Sequence, residues 1–273
     1  MAAQRHIDIN STQVWAKLHQ HQRATRHMHM RELFELDPQR FQRFSLELDG
    51  LLLDYSKNRV TERTLELLFD LARKADLRGW MDRMRSGERI NVSENRSVLH
   101  TALRLPAGAR LDLEGHDVAA DVHQVLARLK DFSEQVREGR WLGFAGQPIR
   151  DVVNLGIGGS DLGPLVAADA LAAYAHPDLK VHFVSNVDGQ HLARTLERLN
   201  PATTLFIIAS KSFTTPETLL NAQAARAWFL QAAGEAQIAK HFVAVSTNEP
   251  AVRAFGIDPQ HMFGFWDTRC GRR

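Results

Sequence analysis

Between residues 151 and 218 the chain twice sets down an apolar run of strand length, a loop of small and hydroxylated residues, and a helical pattern. The first copy reads DVVNLGIGGSDLGP (151–164) and the second TTLFIIASKSFTTPET (203–218). Strands alternating with helices build a parallel sheet with helices on its faces, and such a sheet binds ligands at the carboxyl ends of its strands. Both loops belong at that edge, where one small anion can touch both. The rhythm extends from residue 149 onward. It predicts strands at 152–157, 181–185, 204–209, 242–246 and 262–266, with helices at 162–173, 190–199, 216–233 and 250–255.

The two loops differ in what they offer. In the first, Gly156, Gly158 and Gly159 free the backbone for a sharp turn, and Ser160 or Asp161 can cap the helix that follows. No Gly-Lys-Ser/Thr follows, which excludes a Walker A loop, and Asp161 stands where a dinucleotide fingerprint needs its third glycine. A tight turn before a capped helix explains this loop as well as a phosphate cradle does. The second loop is richer. Ser210, Lys211, Ser212, Thr214 and Thr215 crowd one helix start, with Pro216 at its first position and Thr215 as its cap. Capping uses one hydroxyl; the surplus hydroxyls and the ammonium suit a phosphate monoester at a helix N-terminus. The alternative is a solvated turn.

Upstream, residues 12–85 read mainly as helices, with Leu65, Leu68, Phe69 and Ala72 at helical spacing and Thr61 as a cap after a polar break at 54–59. Another helix is expected at 116–138. No apolar run is long enough for a bilayer, and the first fifteen residues lack the apolar centre of a secretory signal. The single cysteine rules out an internal disulfide framework and fits a cytoplasmic protein. The His19/His21 and His27/His29 pairs lack accompanying cysteines or carboxylates and read as solvated histidines rather than metal ligands.

The GIGGSDLGP and SKSFTTPETLLNA stretches resemble the sugar-phosphate loops of the glucose-6-phosphate isomerase family, within the sugar-isomerase (SIS) superfamily. The segments GLLLDYSKNRVTERTLELL (50–68) and GERINVSENRSVLHTALR (87–104) resemble the amino-terminal region of the same family, so the likeness runs from about residue 15 to residue 267. It implies a parallel five-stranded, doubly wound, flavodoxin-like sheet flanked by helices, preceded by a helical amino-terminal region. The expected divisions are a helical region at 1–110, a first sugar-phosphate-binding domain at 111–267 and an aberrant tail at 268–273, with the family's second such domain absent.

The resemblance further implies aldose–ketose isomerisation of a hexose 6-phosphate, the glucose 6-phosphate to fructose 6-phosphate step of glycolysis and gluconeogenesis. It implies no metal or redox cofactor, no nucleic acid, no membrane, and a homodimeric family. Gly159, Ser160, Ser210, Lys211, Ser212, Thr214 and Thr215 match the family's phosphate anchor, and Arg272 falls in register with the arginine that stabilises the enediolate. The family pattern at the end, Phe-Trp-Asp-Trp-Val-Gly-Gly-Arg-Tyr-Ser, holds here only through Asp267, and Thr268–Cys270 depart from it. That departure reads as a frameshift or sequencing fault. The family's glutamate base and its ring-opening histidine and lysine lie beyond residue 273, so the chain is expected to be inactive alone. Without Arg269, Arg272 and Arg273 the formal charge of +2 becomes −1, so the basic balance does not argue for nucleic acid. A non-catalytic sugar-phosphate-binding module is the competing reading. An aminosugar-phosphate isomerase ranks third, because it would not carry the SKNR and SENR segments.

Overall fold

Asp49 and Gly50 both adopt left-handed backbone, with φ of 50° and 79°, and so close a tight hairpin inside the region that reads as helical. The computed structural model describes residues 8–265. The chain divides into two units, 1–98 and 99–273. In the first lie α1 (Gln13–Thr25), α2 (Met30–Leu36), α3 (Arg40–Arg43), strands β1 (Ser45–Leu48) and β2 (Leu51–Asp54), then α4 (Glu62–Lys74) and α5 (Leu77–Arg85). Thr61 caps α4 as expected, accepting from the Thr64 N–H at 3.3 Å. The hairpin is a departure from the helical reading. Asp-Gly supplies the two positive φ angles that match strand twist, and Leu46 and Leu48 alternate with Ser45 and Glu47 at strand period. Its register places Leu46 opposite Leu53 and Leu48 opposite Leu51, so four leucines share one face, and all four are exposed.

The polar break after the hairpin is shaped by a buried cation. Arg40 is 2% exposed, and its guanidinium donates to the carbonyls of Ser56, Asn58 and Val60, each at 2.8 Å. Its carbon lies 4.5 Å from the centre of the Phe44 ring. A buried charge is tolerated when its donors are met in this way. The histidine pairs do local work as well. His21 Nε2 lies 2.7 Å from Thr64 Oγ1, and His29 Nδ1 accepts from the Arg31 N–H at the start of α2. These are not merely solvated side chains. Among the described residues no group of three or more His, Cys, Asp and Glu is placed to hold a metal ion.

The second unit opens with a 3-10 turn (His100–Arg104), followed by a short hairpin, β3 (Asp112–Leu113) and β4 (His116–Asp117), and by α6 (Val118–Arg137), whose first N–H groups bond to Asp117. The sheet follows as β5 (Asp151–Leu155), α7 (Leu162–Ala170), β6 (Lys180–Val184), α8 (Gly189–Leu196), β7 (Thr204–Ala209), α9 (Pro216–Phe229), α10 (Ile238–His241), β8 (Phe242–Val245), α11 (Glu249–Phe255) and β9 (Met262–Phe263). The five strands stand in the order β6-β5-β7-β8-β9, every pair parallel. Alternation along each strand divides the core. Val153, Leu155, Phe206 and Ile208 pack with residues of α8, α9 and α11, including Leu192, Leu196, Ala222, Phe229 and Val252. Val152, Leu205, Ile207 and Val243 pack with Phe132 and Val136 of α6 on the other face. Helix α7 buries none of its nine residues, although Leu162 and Val166 stand on it. No described helix is long and apolar enough to cross a membrane.

One buried histidine ties the irregular segment before β5 to the sheet. His241 is fully buried; its Nδ1 lies 2.6 Å from the Thr204 carbonyl, and its Nε2 accepts from the Phe144 N–H at 2.8 Å. A carbonyl at one nitrogen and an N–H at the other select the neutral ring protonated on Nδ1. Gly143 is small because a Cβ there would collide with the Ala202 carbonyl and with this ring. Burial holds the His241 pKa below its ordinary 6.5, against the raising effect of the Thr204 carbonyl; Lys240 pushes the same way as burial. The unfolded chain therefore takes up a proton first as pH falls. The stabilisation is complete above the ordinary histidine range and is lost as pH drops through the depressed folded value. Urea melts between about pH 7.5 and about pH 5 should show a steeper loss of stability in the wild type than in His241→Gln. Equal slopes would assign the pH dependence to other groups.

Candidate functional site

The turn after β5 is built on glycine for two separate reasons. A Cβ on Gly156 would lie 2.6 Å from the Ser160 carbonyl, so that position admits no side chain. Gly158 has φ of +59°, the left-handed region that side chains disfavour. Residues Gly158–Ser160 form a single 3-10 turn, and the Ser160 carbonyl is held by Asn154 Nδ2 at 3.1 Å from within the strand. Gly159 is exposed, and a Cβ on it would meet no atom within 4 Å. Asp161 occupies the cap position of α7, but neither it nor Ser160 makes the expected capping bond. The backbone of Asp161 is helical, which turns its side chain away from the orphan N–H groups, and its Oδ1 is buried without a hydrogen-bond partner.

The loop after β7 is strained and internally tied. The Ser210 N–H extends the sheet by bonding to the Val245 carbonyl at 3.1 Å. Phe213 has φ of +53° and is buried, its ring set edge-on against Phe255 at 5.9 Å between centroids. An aromatic residue with positive φ persists only where its surroundings hold it there. Ser212 and Thr214 hydroxyls lie 2.6 Å apart, and Ser210 and Thr215 hydroxyls 3.1 Å apart. Thr215 stands at the cap of α9, with Pro216 first in the helix, but its hydroxyl bonds to Ser210 and not to the helix backbone. The surplus of hydroxyls outcompetes the ordinary cap. The N–H groups of Glu217 and Thr218, which such a cap would serve, are left open, and those of Ser212, Thr214 and Thr215 likewise bond to no other described residue. Gly158 and Gly159 are alike in this respect. Lys211 and Ser212 are exposed beside these donors.

Strands β5 and β7 are direct neighbours, with Leu155 opposite Ile208. Both loops thus leave the same edge of the sheet from adjacent strands, which stand about 4.8 Å apart in any sheet. Gly159, Ser160, Ser210, Lys211, Ser212, Thr214 and Thr215 all lie on these two turns, whereas Arg272 lies outside the described residues. A third turn, Ser246–Asn248 after β8, also reaches this loop through hydrogen bonds to the carbonyls of Lys211 and Ser212. The sequence reading passed over it. Its only signal was Asn248 ahead of Glu-Pro, which marks a helix cap.

Strand order with one reversal, the first strand lying between the second and third, defines the flavodoxin-like doubly wound class, whose ligands sit at the reversal. Here the reversal falls between β5 and β7, the strands that carry the two loops. Residues 54–273 match the family described as phosphoglucose isomerase, and the chain belongs to that family. It is 98% identical over 272 residues to glucose-6-phosphate isomerase 2 of Chromobacterium violaceum, covering all of this chain and 50% of that protein. The glucose-6-phosphate isomerase of Laribacter hongkongensis is 57% identical over 97% of this chain and 48% of its own length. A crystal structure of a glucose-6-phosphate isomerase from Chlamydia trachomatis aligns with a TM-score of 0.78 at 28% identity, covering 96% of this chain and 49% of that one. The chain thus spans about half the length of the curated relatives it matches.

The two glycines of the first loop separate folding from ligand space. Gly156→Ala should destabilise the protein by about 1–3 kcal/mol, the usual cost of overpacking. Gly159→Ala should leave the melting temperature unchanged, since its Cβ would enter open space, and should weaken in calorimetric titration the binding of any anion that seats against this turn. Unaltered binding in Gly159→Ala would place the ligand elsewhere.

Proposed function

We propose that this chain anchors the phosphate of a hexose 6-phosphate in the isomerisation of glucose 6-phosphate to fructose 6-phosphate. The observation that carries the reading is the set of N–H donors, unbonded among the described residues, on two turns of adjacent strands, joined by five hydroxyls and the Lys211 side chain. Oriented N–H groups at a helix start, with a cation beside them, are the usual recognition of a phosphate monoester. Gly159, Ser160, Ser210, Lys211, Ser212, Thr214 and Thr215 are the proposed contacts. The names of the relatives supply the substrate. A non-catalytic sugar-phosphate-binding module would use the same loops.

Isomerisation passes a proton between adjacent carbons through an enediol, and needs a base, a ring-opening acid and positive charge near the enediolate oxygen. The phosphate takes no part in that chemistry; its binding energy fixes where the carbons sit. Arg272 is proposed for the enediolate oxygen. The base and the ring-opening groups are assigned to the part of the family polypeptide that this sequence does not span. The reaction so described takes place without metal or redox cofactor, in the cytoplasm, and in the family's homodimer.

Lys211 contributes charge to binding and not a proton to chemistry. Lys211→Ala should weaken fructose 6-phosphate and unreactive hexose phosphate analogues alike, by about tenfold or more, as expected when a charged hydrogen bond is lost. Unchanged analogue affinity would refute this role. Residues 1–273 alone should bind fructose 6-phosphate without turning it over in a coupled assay, because acid–base groups supply about a hundredfold to ten-thousandfold each. Turnover at an enzymatic rate would show that catalytic groups lie within this sequence.

A further inference from the structure

The phosphate loop is held from behind by a turn that is not itself part of the proposed anchor. Ser246 Oγ donates to the Lys211 carbonyl at 3.0 Å, and the Thr247 N–H and Oγ1 donate to the same oxygen, each at 2.9 Å. Asn248 Nδ2 donates to the Ser212 carbonyl at 2.8 Å. Ser246 is fully buried and also accepts from the Asn248 N–H at 3.2 Å, which makes the turn one connected unit. Its position is fixed at both ends: the Ser246 N–H bonds to the Phe263 carbonyl, and Asn248 Oδ1 caps α11 through the Ala251 N–H.

Four donors on two consecutive carbonyls exceed what a turn needs for its own satisfaction. They fall on the two residues just before Phe213, the one residue of the loop with positive φ. Pulling the Lys211 and Ser212 carbonyls toward β8 constrains the peptide planes that follow them, and so the direction of the open Ser212 N–H and of the Phe213 N–H, which closes the turn on the Ser210 carbonyl at 3.2 Å. The Phe213 ring, packed on Phe255 of α11, ties the apex to the same element. We propose that Ser246, Thr247 and Asn248 are positioning residues that preorganise the phosphate loop for its anion. This rests on the reading of the loop as a phosphate anchor. Preorganisation raises affinity by removing the ordering cost that a mobile loop would incur on binding.

Asn248→Ser separates the clamp from the helix cap, since serine still caps α11 but is too short to reach Ser212. Thr247→Val removes one donor to Lys211 and keeps the shape, and Thr247→Ser restores the hydroxyl. The measurements are hydrogen exchange across residues 209–219 without ligand, thermal melting, and calorimetric titration with fructose 6-phosphate. The double variant Thr247→Val/Asn248→Ser should exchange faster in that segment and bind roughly tenfold more weakly, while Thr247→Ser stays within about twofold of the wild type. Wild-type exchange and affinity in the double variant would overturn the proposal and leave the phosphate reading standing. Equal loss in Thr247→Ser, or loss that only follows a lowered melting temperature, would reduce the turn to a structural tie and also overturn it. A wild-type chain that binds no sugar phosphate would overturn the phosphate reading. The positioning claim would fall with it, even if exchange reported the clamp intact.

Discussion

The pairing of β5 with β7 is the constraint on which the rest of the second unit depends. The chain leaves β5, forms β6 on one side, and must cross back over β5 to place β7 on the other. Helices α7 and α9 therefore start at neighbouring points, with their first turns at one sheet edge. The alternation of Leu205 and Ile207 against Phe206 and Ile208 lets β7 serve both core faces at once, which pins its register. Shifting β7 by one residue would exchange the two faces and carry Ser210 and Lys211 out of place. The chemistry of the edge is thus set by packing beneath it.

The sheet was legible because buried parallel strands appear as continuous apolar runs. The expected strand at 204–209 coincides with β7, and the other four lie within a few residues of β5, β6, β8 and β9. The strand expected at 262–266 is described as a strand only over Met262–Phe263. Helices ran short at their ends: α9 stops at Phe229, where the expectation continued to 233, because alanines carry no signal for a stop. The first hairpin was missed although Asp49-Gly50 announces it and Leu46 and Leu48 alternate with polar residues on its first strand; the helical spacing at 65–72 lies in α4 and says nothing about this stretch.

The candidate site was legible in its residue types but not in its wiring. Hydroxyl surplus and glycine placement identify the two loops from sequence alone. That Thr215 would bond to Ser210 and leave the helix start open could not be read, because several hydroxyls compete for the same cap. The hold of Ser246–Asn248 on Lys211 and Ser212 depends on a separation of some thirty-six residues. His241, which reaches Phe144 across ninety-seven residues, was equally invisible. Contacts of this kind are set by strand order, and sequence spacing does not reveal them.

The central strand pair also carries a kinetic consequence. Asp151 meets Thr204 only after two helices and β6 have been accommodated between them. No pairing in this sheet is a hairpin, so each carries a loop-closure entropy before any contact rewards it. Parallel sheets of this type assemble slowly, with unpaired strands left open to other chains in the meantime. During that interval the leucine face of the β1–β2 hairpin and the uncovered α7 add further adhesive surface. For this protein, the yield of folded chain should depend on concentration and on how fast β7 finds β5, more than on the final stability of the sheet.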